Sequence, residues 1–106
     1  MDHLKDYRAS VGSDPAKFFK STIFQSKRLL LGLNCLEMGQ EQNVHSHADQ
    51  DKFYLVLEGQ GAFTVDATPI EANPGEVVWA PAGVPHGVIN RVEERLVLLV
   101  GIAPAP

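Results

Sequence analysis

From residue 27 onward the chain reads as short runs of apolar and β-forming residues separated by glycine and proline. Residues 28–37 alternate only partly, and the run Leu29-Leu30-Leu31 points to burial on both faces. Residues 53–58 are apolar and rich in β-formers; Gly59-Gln-Gly61 turns them into a second run over residues 62–66, a hairpin pattern. Ala72-Asn-Pro74-Gly75 is another turn, before a strand at residues 76–80. Pro81-Ala-Gly83-Val-Pro85 is a rigid loop, and residues 95–102 form a closing strand. Ala103-Pro-Ala-Pro106 cannot pair in a sheet interior. Short strands spaced roughly eight to twelve residues apart with such punctuation predict an all-β sandwich or barrel.

The first twenty residues are polar and irregular. Asp14 as N-cap with Pro15 at the first helical position predicts a short helical turn there. Phe18 and Phe19 are then expected to pack onto the barrel or onto a partner subunit. The organisation is an N-terminal arm over residues 1–27 followed by one β-barrel domain over residues 28–103.

At 106 residues the chain suffices for a single core and not for two. A net charge of −4 argues against nucleic acid or an anionic membrane as main partner. No uninterrupted apolar stretch reaches the roughly eighteen residues a spanning helix needs. The start, Met-Asp-His-Leu-Lys-Asp-Tyr-Arg, is too polar for a signal peptide. A single cysteine, Cys35, excludes an internal disulfide and fits a reducing compartment, so a cytoplasmic location is expected. Cys35 reads as a small buried hydrophobe, with thiolate ligand as the rarer alternative.

The candidate chemistry is histidine. Gly39-Gln-Glu-Gln-Asn-Val-His45-Ser-His47 puts two imidazoles two residues apart, on one face of an extended strand and about 7 Å apart along the backbone. Some thirty residues on, Gly75-Glu-Val-Val-Trp-Ala-Pro81-Ala-Gly83-Val-Pro-His86-Gly-Val-Ile-Asn90 delivers a third imidazole after the Pro/Gly loop. Three convergent imidazoles suit a first-row divalent metal, and His86 has to come from a neighbouring strand. His3 has no such context, and Asn90 is expected to bond backbone near the site.

These two motifs resemble those of the cupin superfamily. Gly75, Pro81, Gly83, His86 and Asn90 match G(x)5PxG(x)2H(x)3N without a gap. Gly39, His45, His47 and Gly59 fall in register with G(x)5HxH(x)3-4E(x)6G. The resemblance covers roughly residues 28–102 and implies a jelly-roll, double-stranded β-helix barrel, here as one unit. It implies a divalent transition metal (Fe, Mn, Ni or Zn) on His45, His47 and His86. The acidic ligand of the family falls at position 52, where this chain has Lys52. Gln50 shares the parity of Lys52 and points to the same face of a regular strand; Asp51 points the other way unless a bulge intervenes. Gln50 is put ahead on geometry, Asp51 offers the better oxygen, and water is the third way to complete the site.

Lys52 reads either as a solvated surface lysine or as an ammonium at the pocket mouth, repelling a divalent ion and binding an anionic substrate. Trp79 shares parity with Val77 on the strand before His86 and is a candidate for the substrate pocket. The resemblance implies a cup for a small polar organic molecule, with dioxygenase, isomerase, lyase or decarboxylase chemistry. The missing glutamate favours the rival, a non-catalytic binding or sensor module; a third reading is a metal that only braces the barrel. Phe18, Phe19, Ile23 and Phe24, with strand edges to cover, point to a homodimer.

Overall fold

The apolar run near the C-terminal end becomes the middle strand of the larger of two sheets, flanked on both edges. The computed structural model describes residues 2–106. In chain order its strands are β1 (Phe19–Gln25), β2 (Leu30–Leu36), β3 (Glu41–His45), β4 (Asp51–Glu58), β5 (Gly61–Val65), β6 (Thr68–Ala72), β7 (Val77–Ala80), β8 (His86–Ile89) and β9 (Leu96–Ala103). They pair antiparallel into a five-stranded sheet, β1-β2-β9-β4-β7, and a four-stranded sheet, β3-β8-β5-β6. Among the described residues no helix is long and apolar enough to cross a membrane.

Alternation along the strands sets two apolar layers. Leu36, Tyr54, Val56, Phe63, Val88 and Leu98 fill the space between the sheets. On the other face of the larger sheet, Ile23, Leu33, Cys35 and Val97 form a second cluster, covered by Tyr7, Val11 and Phe24. Strand β9 contributes to both, Leu96, Leu98 and Val100 to the first and Val97 to the second. A strand buried on both faces has no position for a polar residue, which accounts for its uninterrupted apolar sequence.

The segment expected to be an arm over residues 1–27 contains β1, which registers against β2 from Phe19↔Cys35 to Gln25↔Leu30. Phe19, Ile23 and Phe24 pack in the second cluster and Phe18 against the inter-sheet core, so of the two expected places for Phe18 and Phe19 the barrel is the one seen. The helical turn also lies elsewhere. It is a 3-10 turn over Tyr7–Ser10, capped by the Asp6 carboxylate, which accepts the Arg8 N–H. Asp14 accepts the Ala16 N–H at 2.9 Å in a bend; β1 begins at Phe19, which leaves no room for a helix.

Two turn details shape the barrel end. Asp66 and Ala67 both have positive φ (49° and 64°), the mark of a two-residue hairpin turn, so the strand read over 62–66 spans Gly61–Val65. Gly59 has φ +81°, and a Cβ there would stand 2.6 Å from the Arg95 carbonyl oxygen, so only glycine fits.

Asn90 closes β8 and is fully buried. Its side-chain amide donates to the carbonyls of Leu36 (2.8 Å) and Glu94 (2.9 Å), and its oxygen accepts the Val92 N–H (3.0 Å). Asn90→Ala strands two carbonyls and one amide, and should lower stability in urea unfolding by about 3 kcal/mol. Asn90→Asp should lose stability too, since a carboxylate cannot donate to the two carbonyls. A loss well below about 1 kcal/mol for both variants would contradict this role.

Candidate metal centre and barrel interior

Strands β3 and β8 are neighbours in the smaller sheet, and their register sets His45 directly opposite His86. The ladder is irregular between Gln42 and His45. Gly87 permits that irregularity: a Cβ on it would meet the Gln42 carbonyl oxygen at 2.9 Å and the Val44 nitrogen at 3.0 Å. His47 lies two residues beyond the end of β3. The ring centroids stand 4.5 Å apart for His45–His86, 4.8 Å for His45–His47 and 6.2 Å for His47–His86.

Backbone carbonyls fix two of these rings. His45 Nδ1 lies 2.7 Å from the Asn43 oxygen and His86 Nδ1 lies 2.9 Å from the Val84 oxygen. A carbonyl only accepts, so Nδ1 carries the proton of the neutral ring and Nε2 keeps its lone pair. His86 is 2% exposed, and its Nε2 is a buried nitrogen without a partner among the described residues. An unsatisfied buried acceptor costs about 1–3 kcal/mol. The loop before β8 ties the two histidine motifs together. Gly83 N–H donates to the His47 carbonyl at 2.8 Å, and the Asp51 carboxylate accepts the Ala82 N–H at 2.9 Å.

Burial lowers the pKa of His47, and the charges of His45, Lys52 and Lys20 lower it further. Burial also lowers His86; its bond to the Val84 carbonyl opposes the shift, while His45 and Lys52 add to it. Both rings are thereby held in the neutral form that a metal needs.

The donor set fits a first-row divalent ion, three imidazoles with one buried lone pair unpartnered. With nitrogens about 2.1 Å from an ion, adjacent ring centroids stand roughly 4.5–5.5 Å apart. The two spacings that involve His45 are within or at that range, and His47–His86 is wider. Among the described residues no three His, Cys, Asp or Glu side chains therefore form a ready ligand group. His47, outside the regular strand, is the ring that would have to move.

The remaining sequence candidates divide. Gln50 donates its side-chain amide to the Pro104 carbonyl at 3.1 Å, and Asp51 braces the loop at Ala82. Neither has a hydrogen bond to the imidazoles among the described residues. Lys52 is 4% exposed and faces the barrel interior in register with Ala80 and Ile102. Its Nζ stands 4.9 Å from the centroid of the Tyr54 ring, with no ion pair or hydrogen bond among the described residues. Burial, with a smaller push from Lys20, takes its pKa down to about 8. Trp79 does not line the pocket. It is 55% exposed beside Val77 on the outer face of β7, while Val78 and Ala80 take the inner face.

Sequence reading passed over Gln42 and Lys20; Tyr54, expected as core or pocket wall, is buried in the inter-sheet core. The buried Tyr54 hydroxyl donates to the Gln42 side-chain oxygen at 2.6 Å, and its ring lies 6.1 Å from that of His86. Burial pushes the phenol far above its usual pKa, so it stays protonated. The parity of Tyr54 with Lys52 was the available signal for its inward face.

Residues 32–102 match the Cupin domain family, and the chain belongs to the cupin superfamily. Its two facing antiparallel sheets are that family's double-stranded β-helix. The chain is similar to TT1209 from Thermus thermophilus, whose crystal structure aligns with a TM-score of 0.95 at 40% identity over 99% of this chain and 100% of that one. Uncharacterized protein SCO3923 from Streptomyces coelicolor is 31% identical over 104 residues, 98% of this chain and 92% of its own. Dimethylsulfoniopropionate lyase DddW from Ruegeria pomeroyi is 33% identical over 61 residues, 58% of this chain and 40% of that protein.

The buried ammonium makes a pH-dependent contribution of definite sign. The folded pKa of Lys52 is about 8 against an ordinary 10.5, so below pH 8 folding carries the whole penalty. Between those values the unfolded chain holds a proton that the folded one has released, and stability rises with pH. Lys52→Met removes the penalty at every pH. Its advantage over the natural protein in urea unfolding should shrink by about 3 kcal/mol between pH 8 and pH 10.5, at about 1.4 kcal/mol per pH unit. A constant difference across that window would place the ammonium in water.

Proposed function

We propose that this protein is a small metal-dependent cupin whose barrel binds and acts on a small polar organic molecule. His45, His47 and His86 are the ligands, for Fe, Mn, Ni or Zn. The observation that carries this reading is the proximity of three imidazoles, with His45 4.5 Å from His86 and 4.8 Å from His47 between ring centroids, together with the buried, unpartnered Nε2 of His86. A metal held there would act as a Lewis acid on a carbonyl or enolate oxygen, the chemistry of isomerases, lyases and dioxygenases. Likeness to a dimethylsulfoniopropionate lyase over 58% of the chain supports the lyase class among these.

The chain's own groups supply orientation and charge. The Asn43 and Val84 carbonyls hold two rings with Nε2 free. Asp51 and the Gly83–His47 bond hold the loop that carries the third motif. Tyr54 keeps its proton and commits it to Gln42, and Lys52 adds positive charge beside the rings. Gln50, Asp51 or water completes the coordination; the engagement of Gln50 with Pro104 and of Asp51 with Ala82 favours water.

A second reading, a non-catalytic ligand cup, is favoured by one observation. Lys52 stands where the family motif has its acid, so the interior lacks that anionic ligand and base. Turnover of any small carbonyl compound by the metal-loaded protein separates the two readings.

Titration calorimetry with Zn²⁺ and Ni²⁺ should give one site per chain. His86→Ala should weaken it at least tenfold, and Lys52→Glu should strengthen it tenfold or more by replacing a repelling charge with a ligand. An unchanged affinity in His86→Ala would end the metal reading. We also propose a homodimer, now on the outer face of the edge strand β7, where Val77 and Trp79 are 62% and 55% exposed. Light scattering at micromolar concentration should give twice the chain mass, and Trp79→Asp should reduce it to one. A monodisperse monomer in the natural protein would overturn this.

A further inference from the structure

Beside the imidazole cluster, on the inner face of the larger sheet, lies a cavity of about 160 Å³ between β1, β2, β4 and β9. That is close to the ~150 Å³ that accommodates benzene, so it has room for a ligand of about six non-hydrogen atoms. Its polar lining includes Lys20, Asn34, Gln42 and Lys52, and its apolar wall is Leu30, Val100, Ile102 and Pro106. Among the described residues no Asp or Glu side chain lines it.

The lining is built of donors. Lys52 is 4% exposed and has neither ion pair nor hydrogen bond among the described residues. An ammonium held mostly out of bulk water without a counter-charge is costly, and lysine is rarely buried unpaired. The Tyr54 ring face at 4.9 Å offsets part of that cost and no more. Asn34, buried at 6% exposure, likewise has no side-chain hydrogen bond among the described residues. Gln42 has its oxygen occupied by the Tyr54 hydroxyl, so its N–H groups are what it has left to offer. Lys20 pairs with Asn34 across the β1–β2 ladder and brings a second positive charge, exposed at the rim. A cavity lined by a buried lysine and an exposed one, with no acid among the described lining residues, has the charge to suit an anion.

We propose that this cavity is a carboxylate-binding subsite. Lys52 and Lys20 receive the carboxylate of a small organic acid, and its short carbon chain lies against Leu30, Val100 and Ile102. This rests on the reading of the barrel as a ligand cup, and it does not depend on the metal. The ion pair supplies the counter-charge that Lys52 lacks. Because Lys52 is buried and Lys20 is not, Lys52 carries most of the discrimination between an acid and its neutral analogue.

The test compares butyrate with its uncharged isostere butyramide, each of six non-hydrogen atoms, by NMR titration of the chelator-treated protein. Butyrate should shift the backbone amides of residues 34 and 52 and bind at least tenfold more tightly than butyramide. Lys52→Met should abolish that preference, and Lys20→Met should reduce it by a smaller factor. Equal affinities for the two compounds, no butyrate binding, or an unchanged preference in Lys52→Met would each overturn the subsite. If Lys52→Met does not fold, the butyrate-to-butyramide ratio in the natural protein decides alone. Chelator keeps the two proposals separable: a butyrate preference with no metal binding leaves the subsite standing and removes the metal centre. Metal binding with no butyrate preference does the reverse.

Discussion

The double burial of β9 sets the position of everything else in the barrel. Leu96, Leu98 and Val100 look between the sheets, and Val97 looks out toward Leu33, Cys35 and Ile23. A strand in that position needs a cover on each side. The smaller sheet covers one face; the 3-10 turn and the residues leading into β1 help to cover the other, which is why the N-terminal segment is part of the fold. Burying a Leu or Val side chain contributes about 1.5–3 kcal/mol, so both layers contribute to a small domain's stability. Once β9 is fixed, its antiparallel partner β4 is fixed in register, and Lys52, Tyr54 and Val56 must face inward. The inward lysine is thus a consequence of the ladder rather than a local accident.

Much of the fold was legible because turn chemistry and burial both leave marks in sequence. Glycine at positive φ (Gly39, Gly59, Gly75, Gly83) marked the turns, and the apolar run marked β9. The spacing of His45, His47 and His86 was legible from the two motifs, and the β3–β8 register sets His45 opposite His86. What stayed hidden has physical causes. Strand β7 is four residues long and apolar throughout, so parity shows that Val77 and Trp79 share a face without saying which face is the core. The smaller Val78 and Ala80 took the core, and tryptophan was left outside. Lys20 carries a charge, which reads as solvent, and its place in the cavity depends on a long-range pairing with β2. The Asp66-Ala67 turn was missed because alanine carries no turn signal, although both residues adopt positive φ.

The interior chemistry is unusual in its sign. Two imidazoles kept neutral, a phenol kept protonated and a buried ammonium occupy one cup, and each pKa moves in the direction that burial dictates. Neutral imidazoles favour a cation, whereas the ammonium opposes one. At low effective dielectric this opposition is strong, because the repulsion is poorly screened by salt inside the barrel.

An anion resolves that opposition. A carboxylate beside Lys52 neutralises the ammonium, and the field that Lys52 exerts on His47 and His86 collapses with it. The proposed imidazole site would then meet a divalent ion without the repulsion. Coupling of this kind is reciprocal, so whatever factor the anion adds to metal affinity, the metal adds to anion affinity. In a cupin with glutamate at position 52 the ligand that completes the charge balance is part of the chain. With Lys52 in that place, the proposed carboxylate would supply that charge from solution, and charge balance in the barrel would be a property of the complex.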